Sequence, residues 1–184
     1  MASRKNLIKF LAIIYVLGMV IWLGGSIIRT VIAYDIYVPA TELQMKTNYS
    51  DEMRLHNVRL FGMGALYTEI SYGVAAFAAI FLFFLLRKEF KTKGWILISL
   101  LLFLITLPLE SLLMYYDIKL NLAIQYDLLK SFNQDVVRDY FISRFTKLNF
   151  MAPSAYLCGA SSLIMAVWRP LEKTEFTNSL TGDE

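Results

Sequence analysis

The sequence predicts an all-α integral membrane protein: an up-down-up-down bundle of four transmembrane helices that extend beyond the outer membrane surface. Two observations carry that class. Hydrophobic residues make up 57% of the 184 positions, and the mean hydropathy of +0.51 lies outside the soluble norm. Those residues also gather into four blocks, Leu7–Ala33, Phe61–Leu86, Trp95–Tyr116 and Phe150–Trp168, each near the roughly 20 residues that cross a bilayer.

A third observation orients the bundle. Arg4, Lys5 and Lys9 mark the start of the first block, and Arg87, Lys88, Lys91 and Lys93 fill the link between the second and third. Arg169 and Lys173 follow the fourth. By the positive-inside rule these three regions are cytoplasmic, so the expected protein is multi-pass with N- and C-termini inside. Topology accounts for the basic residues, and a nucleic-acid partner gains no support from them. The first apolar run is too long for a signal peptide and no A-x-A-like site closes it.

Each element follows in order. Pro39 ends or bends the first helix, and Ala40–Tyr49 forms a loop. Ser50 then reads as an N-cap, with Asp51 and Glu52 in the first turn where the helix dipole favours acids. Apolar residues at helical spacing (Met53, Leu60, Met63) run on into the second span. The third span continues past the membrane through Ile118, Leu122, Ile124 and Leu128, in an amphipathic pattern. Ser131-x-x-Gln134 resembles a capping box opening the fourth helix, whose outer part carries Val136, Tyr140, Ile142 and Phe145. At 1.5 Å per residue, helices of about 35 residues reach roughly 50 Å, beyond the roughly 30 Å hydrocarbon core. Trp95 and Trp168 mark the inner boundary, and Tyr34, Tyr37, Tyr115 and Tyr116 the outer one. Residues 1–170 therefore form one transmembrane domain, and 171–184 a flexible cytoplasmic tail.

The functional clue is a set of polar residues inside the spans. Arg29, Glu69 and Glu110 come from three different blocks. Counting outward from the inner boundary places them about 28, 26 and 22 Å deep, with Asn149 at about 28 Å. Gly18, Gly25 and Arg29 share a stripe of the first helix; Gly62, Ala65, Glu69, Gly73 and Ala76 form a small-residue stripe on the second. Such stripes face neighbouring helices rather than lipid. Glu110 shares a face with Thr106 and Asp117, and Asn149 aligns with Tyr156 and Gly159. With Tyr72 these give the candidate set Arg29, Glu69, Glu110, Asn149, Tyr72 and Tyr156. Pro108 and Pro153 free carbonyls within the third and fourth spans, as bends or as cation ligands. Two readings stay open. The charges are a clasp that fixes helix register, or they are a site for a small molecule, lipid or ion. If all three ionise the cluster holds a net charge of −1, which admits a proton or a cation.

Other chemistry finds little footing. His56 is the single histidine and Cys158 the single cysteine, so no metal or disulfide set is expected within one chain. Catalytic residues are not assigned, since no nucleophile–base pattern is present, and the cofactor is unknown. Expected partners are membrane lipid and either other membrane subunits or further copies of this chain.

Trp22-Leu23-Gly24-Gly25, followed by Pro39, resembles the opening helix of small four-helix membrane proteins grouped with the CopD-like families and related families of unknown function. The likeness covers one helix of four and implies a compact four-span bundle. The histidines that a copper or haem role needs are missing, so no such activity is carried over. The expected function is a membrane binding or accessory protein, a subunit of a larger complex being one form of it. The alternative is a membrane enzyme or transporter for a lipophilic or ionic small molecule, with proton-handling glutamates.

Overall fold

The computed structural model describes residues 2–170; the expected tail at 171–184 lies outside them. The elements are α1 (Ala2–Tyr34), α2 (Asp51–Leu86), α3 (Gly94–Gln125), a π-helical segment (Val137–Ile142) that merges into α4 (Ser143–Thr146), and α5 (Met151–Trp168). Helices α1, α2, α3 and α5 are each long and apolar enough to cross a membrane. They form an up-down-up-down four-helix bundle, with no named strand among the described residues. The chain reverses at one end, here called distal, through 35–50 and 126–150, and at the opposite, proximal end through 87–93.

The outer faces are apolar. Ile28 and Val31 on α1, Tyr67 and Phe77 on α2, and Leu157 and Val167 on α5 each expose more than half of their surface. Water does not tolerate an apolar belt of this extent on a monomer. Lipid does.

Local chemistry sets the helix ends. Ser50 has extended backbone and accepts from the Met53 N–H at 3.2 Å, with Asp51 and Glu52 in the first turn. The Asp51 carboxylate also accepts from the Phe132 N–H at 3.2 Å, and Arg59 Nη2 donates to the Leu129 carbonyl at 3.0 Å. These bonds tie the 126–136 loop to α2. At the proximal end Arg4 Nη2 donates to the Leu85 carbonyl at 2.5 Å, satisfying one of the open carbonyls that end α2.

The fourth helix departs from expectation. It does not run unbroken from Ser131; a turn at residues 147–150 separates α4 from α5. Pro153 explains the break. It has no N–H, and its ring crowds the carbonyl four residues back, which favours a break at Asn149, although α3 accommodates Pro108 without one. A new ladder starts instead with Ser154 N–H donating to Phe150 O at 3.1 Å. Pro153 thus sits in the first turn of α5, where a missing N–H is harmless, and is no mid-span kink. The capping box is half formed: Gln134 Oε1 accepts from the Ser131 N–H at 3.2 Å, while Ser131 Oγ accepts from Asn133 N–H at 3.3 Å instead of from Gln134.

The loop after α1 opens at Asp35, ahead of Pro39. Asp35 accepts from Tyr49 Oη at 2.7 Å, Lys46 Nζ at 3.1 Å and Asn57 Nδ2 at 3.2 Å. The Tyr49 hydroxyl first, then the Lys46 ammonium, hold the Asp35 carboxyl below its ordinary 3.8. Asp35 in turn raises Lys46 above 10.5 and Tyr49 above 10.0. A depressed carboxyl stabilises the closed loop above its unfolded pKa, and that contribution is lost as pH falls through the folded value. The raised Lys and Tyr act below their unfolded values and are lost as pH rises through the folded ones. The Asn57 side-chain amide signal should therefore be constant from about pH 5 to about pH 9 and shift outside that window. In Asp35→Asn the acid-side shift should vanish.

Two hydrophobic clusters fill the interior. The proximal one centres on Met19, Trp22, Tyr72 and Phe103; the distal one on Ile36, Phe61, Leu120, Phe132 and Phe141. Tyr37, expected in an interfacial belt, is 4% exposed and belongs to the distal cluster. Helix α1 packs chiefly on α2, and α3 on α5, while the contact between α1 and α5 is sparse. The α1–α2 approach is close at Gly18, where a Cβ would stand 2.8 Å from the Ser71 carbonyl oxygen. Gly25 lies against Thr68 in the same interface. Gly73 meets nothing, so the α2 stripe that faces α1 runs through Thr68 and Ala75 instead.

Candidate functional site

Between the two hydrophobic clusters lies a buried layer of charge. Arg29 reaches it from α1 and is 5% exposed. Its Nη2 pairs with Asp117 of α3 at 2.8 Å. Nε donates to the Phe61 carbonyl at 3.1 Å and Nη1 to Thr68 Oγ1 at 3.0 Å. The Phe61 ring lies 4.3 Å from the guanidinium carbon, a cation–π contact on the third side.

Asp117 has a second cation. Arg144 of α4 meets it with Nε at 2.9 Å from Oδ1 and Nη2 at 3.2 Å from Oδ2. The Nη2 contact is a charge-assisted hydrogen bond, and the Nε contact adds ion-pair attraction at close range. Asp117 and Arg144 are 2% and 4% exposed. The π-helical turn makes the approach: the segment 137–145 buries Val137, Phe141, Ser143, Arg144 and Phe145 together, with Phe141 and Phe145 edge-on to Phe61 at 5.3 and 5.5 Å. Arg29, Asp117 and Arg144 form a buried, ion-paired triad. Sequence reading placed Asp117 only as a neighbour on the Glu110 face and passed over Arg144. Its signal was a lone arginine among apolar residues at Phe141, Ile142 and Phe145.

The glutamates behave differently. Glu69 lies within electrostatic range of Asp117, Arg29, Arg144 and Glu110, so the expected convergence of Arg29, Glu69 and Glu110 is present. Neither glutamate joins the triad, because Arg29 takes Asp117 as its ion-pair partner. Glu110 is 6% exposed. Oε1 of Glu110 and Oε1 of Glu69 are buried without a hydrogen-bond partner. The Trp22 indole N–H is directed to the Glu110 carboxylate yet also completes no hydrogen bond. Counting both arginines and all three acids, the layer still carries −1.

The other candidates separate from this layer. The Tyr72 hydroxyl bonds Thr106 Oγ1 at 2.8 Å and its ring packs on Trp22, which makes it part of the core. Asn149 is exposed in the turn before α5 and does not join the buried charges; the Pro153 break takes it out of the helical register that aligned it with Tyr156. Asn149 and Tyr156 instead line a groove of about 250 Å³ in the α1–α5 seam, with Ile27, Val31 and Pro153. Arg144 lines the same groove, so one side chain joins the charged layer to the seam. His56 is exposed at the distal end. Among the described residues no group of three His, Cys, Asp or Glu side chains is placed to hold a metal ion.

No family model, curated protein or solved structure matches this chain.

Proposed function

We propose that the protein is a multi-pass membrane binding or accessory protein whose buried layer divides into a structural clasp and a small-ion site. Arg29, Asp117 and Arg144 are the clasp. Glu69 and Glu110 hold a proton or one small cation. The observation that carries this reading is the pair of unpartnered carboxylate oxygens, Glu69 Oε1 and Glu110 Oε1, two acids beside a triad whose net charge is only +1. A buried acceptor without a partner costs about 1–3 kcal/mol, more when charged, and the net −1 of the layer is offset by one proton or one monovalent cation. The basic residues of the proximal end put that end in the cytoplasm under the positive-inside rule, and the clasp then lies toward the outer leaflet.

Infrared spectroscopy of the lipid-reconstituted protein tests this. We expect a protonated-carboxyl stretch that shifts in heavy water and weakens in Glu110→Gln, or a carboxylate band that responds to added sodium or potassium. Absence of the first together with indifference to both cations sinks the reading.

A second reading has its own observation. The groove in the α1–α5 seam leads to Arg144 and gives a lipophilic acid a path to a fixed cation. A membrane enzyme or transporter would use it, with the glutamates moving protons. Proton uptake by liposomes carrying the protein and a lipophilic acid separates the two readings, since a binding protein leaves the interior pH unchanged.

A further inference from the structure

A second cavity, of about 500 Å³, opens at the proximal end. Lys5, Lys9, Glu89, Lys93 and Arg169 stand around it. Glu89 pairs with Lys93 at 3.4 Å, and Lys5 and Lys9 add two further positive charges. Arg169 lies against the Trp95 ring, 5.4 Å from its centroid, which keeps the guanidinium at the rim. Below these groups the walls turn apolar: Ile8, Ala12, Leu82, Leu86, Ile96 and Leu100. From Lys5 to Tyr15 its lining spans about 15 Å along α1.

The floor narrows the choice of occupant. Tyr15 Oη and Ser162 Oγ share a bond of 2.6 Å, and Ser99 Oγ donates to the Ser162 carbonyl at 2.8 Å. Ser162 Oγ donates back to the Ser99 carbonyl at 2.6 Å. These hydroxyls are satisfied within the protein, so what reaches them is apolar. A cationic rim over a dry, apolar shaft fits an amphiphile with a negative head.

We propose that this cavity binds one anionic phospholipid of the adjoining leaflet, its phosphate among Lys5, Lys9, Lys93 and Arg169 and the upper part of an acyl chain along the wall. A zwitterionic head brings its own cation to the same rim and loses the attraction. A soluble phosphate leaves the shaft wet and gains nothing from depth. Basic pockets between transmembrane helices are where anionic headgroups are held.

Native mass spectrometry of the full chain, released from neutral detergent with phosphatidylglycerol and phosphatidylcholine of equal chain length, decides it. One phosphatidylglycerol should stay bound at collision energies that strip phosphatidylcholine. Lys9→Gln and Lys93→Gln should each lower retention about fivefold, and Lys9→Arg should restore it. Ala12→Trp, which fills the shaft and keeps every charge, should abolish retention with an unchanged gel-filtration profile. Equal retention of both lipids, displacement by inorganic phosphate alone, or an unaffected Ala12→Trp adduct would each overturn the proposal.

Discussion

Asp117→Ala is expected to destabilise the bundle by about 3–5 kcal/mol, because it leaves two buried guanidiniums without their shared counter-ion. Arg144 presents Nε and Nη2 to this one carboxylate and Arg29 its Nη2, and all three residues are buried. The measurement is the fraction folded during titration of the detergent-solubilised protein with a denaturing detergent. The double variant Asp117→Leu/Arg144→Leu should recover part of the loss, since replacing a buried pair with apolar groups of similar volume is far less harmful than stripping one partner. If Asp117→Ala were as stable as the parent, Glu69 and Glu110 would have to be taking over both arginines, and the division into clasp and ion site would fail.

Phe61→Ala should cost about 3–5 kcal/mol, the usual range for a fully buried aromatic ring. Phe61 is completely buried and touches the Phe141 and Phe145 rings edge-on. It also faces two cations, with the Arg29 and Arg144 guanidinium carbons at 4.3 and 5.2 Å. Phe61→Leu keeps most of the volume and removes the ring, so it isolates the combined share of the cation–π and edge-on aromatic contacts, roughly 1–3 kcal/mol. The same titration reads both. A Leu variant as damaged as the Ala variant would assign the effect to the ring rather than to packing.

Particular residues show how far sequence reasoning reaches into this fold. The four spans were legible because lipid demands long apolar runs, and their bounds agree with α1, α2, α3 and α5 to within a few residues except where helices extend past the membrane. Ser50 was legible as a cap because serine before two acids is a local signal needing no tertiary context. Arg29, Glu69 and Glu110 were legible because a charge inside an apolar run is conspicuous. Arg144 was not: it follows a stretch rich in both signs of charge, and a π-helical turn, which adds a residue to the ordinary repeat, hides which face it takes. Pro153 was misread for a related reason. A proline inside a hydrophobic block looks like a kink, and only the turn at 147–150 reveals it as a beginning.

The clasp is split between two hairpins, and this has a bearing on biogenesis. Arg29 emerges with the α1–α2 hairpin, whereas Asp117 and Arg144 are synthesised only afterwards. A nascent first hairpin holds the Arg29 guanidinium without its Asp117 partner, with Glu69 of α2 the acid in electrostatic range. Docking of the second hairpin brings Arg29 to an aspartate that Arg144 of the same hairpin already meets. A chain that lacks α3 loses the ion pair that joins the two hairpins.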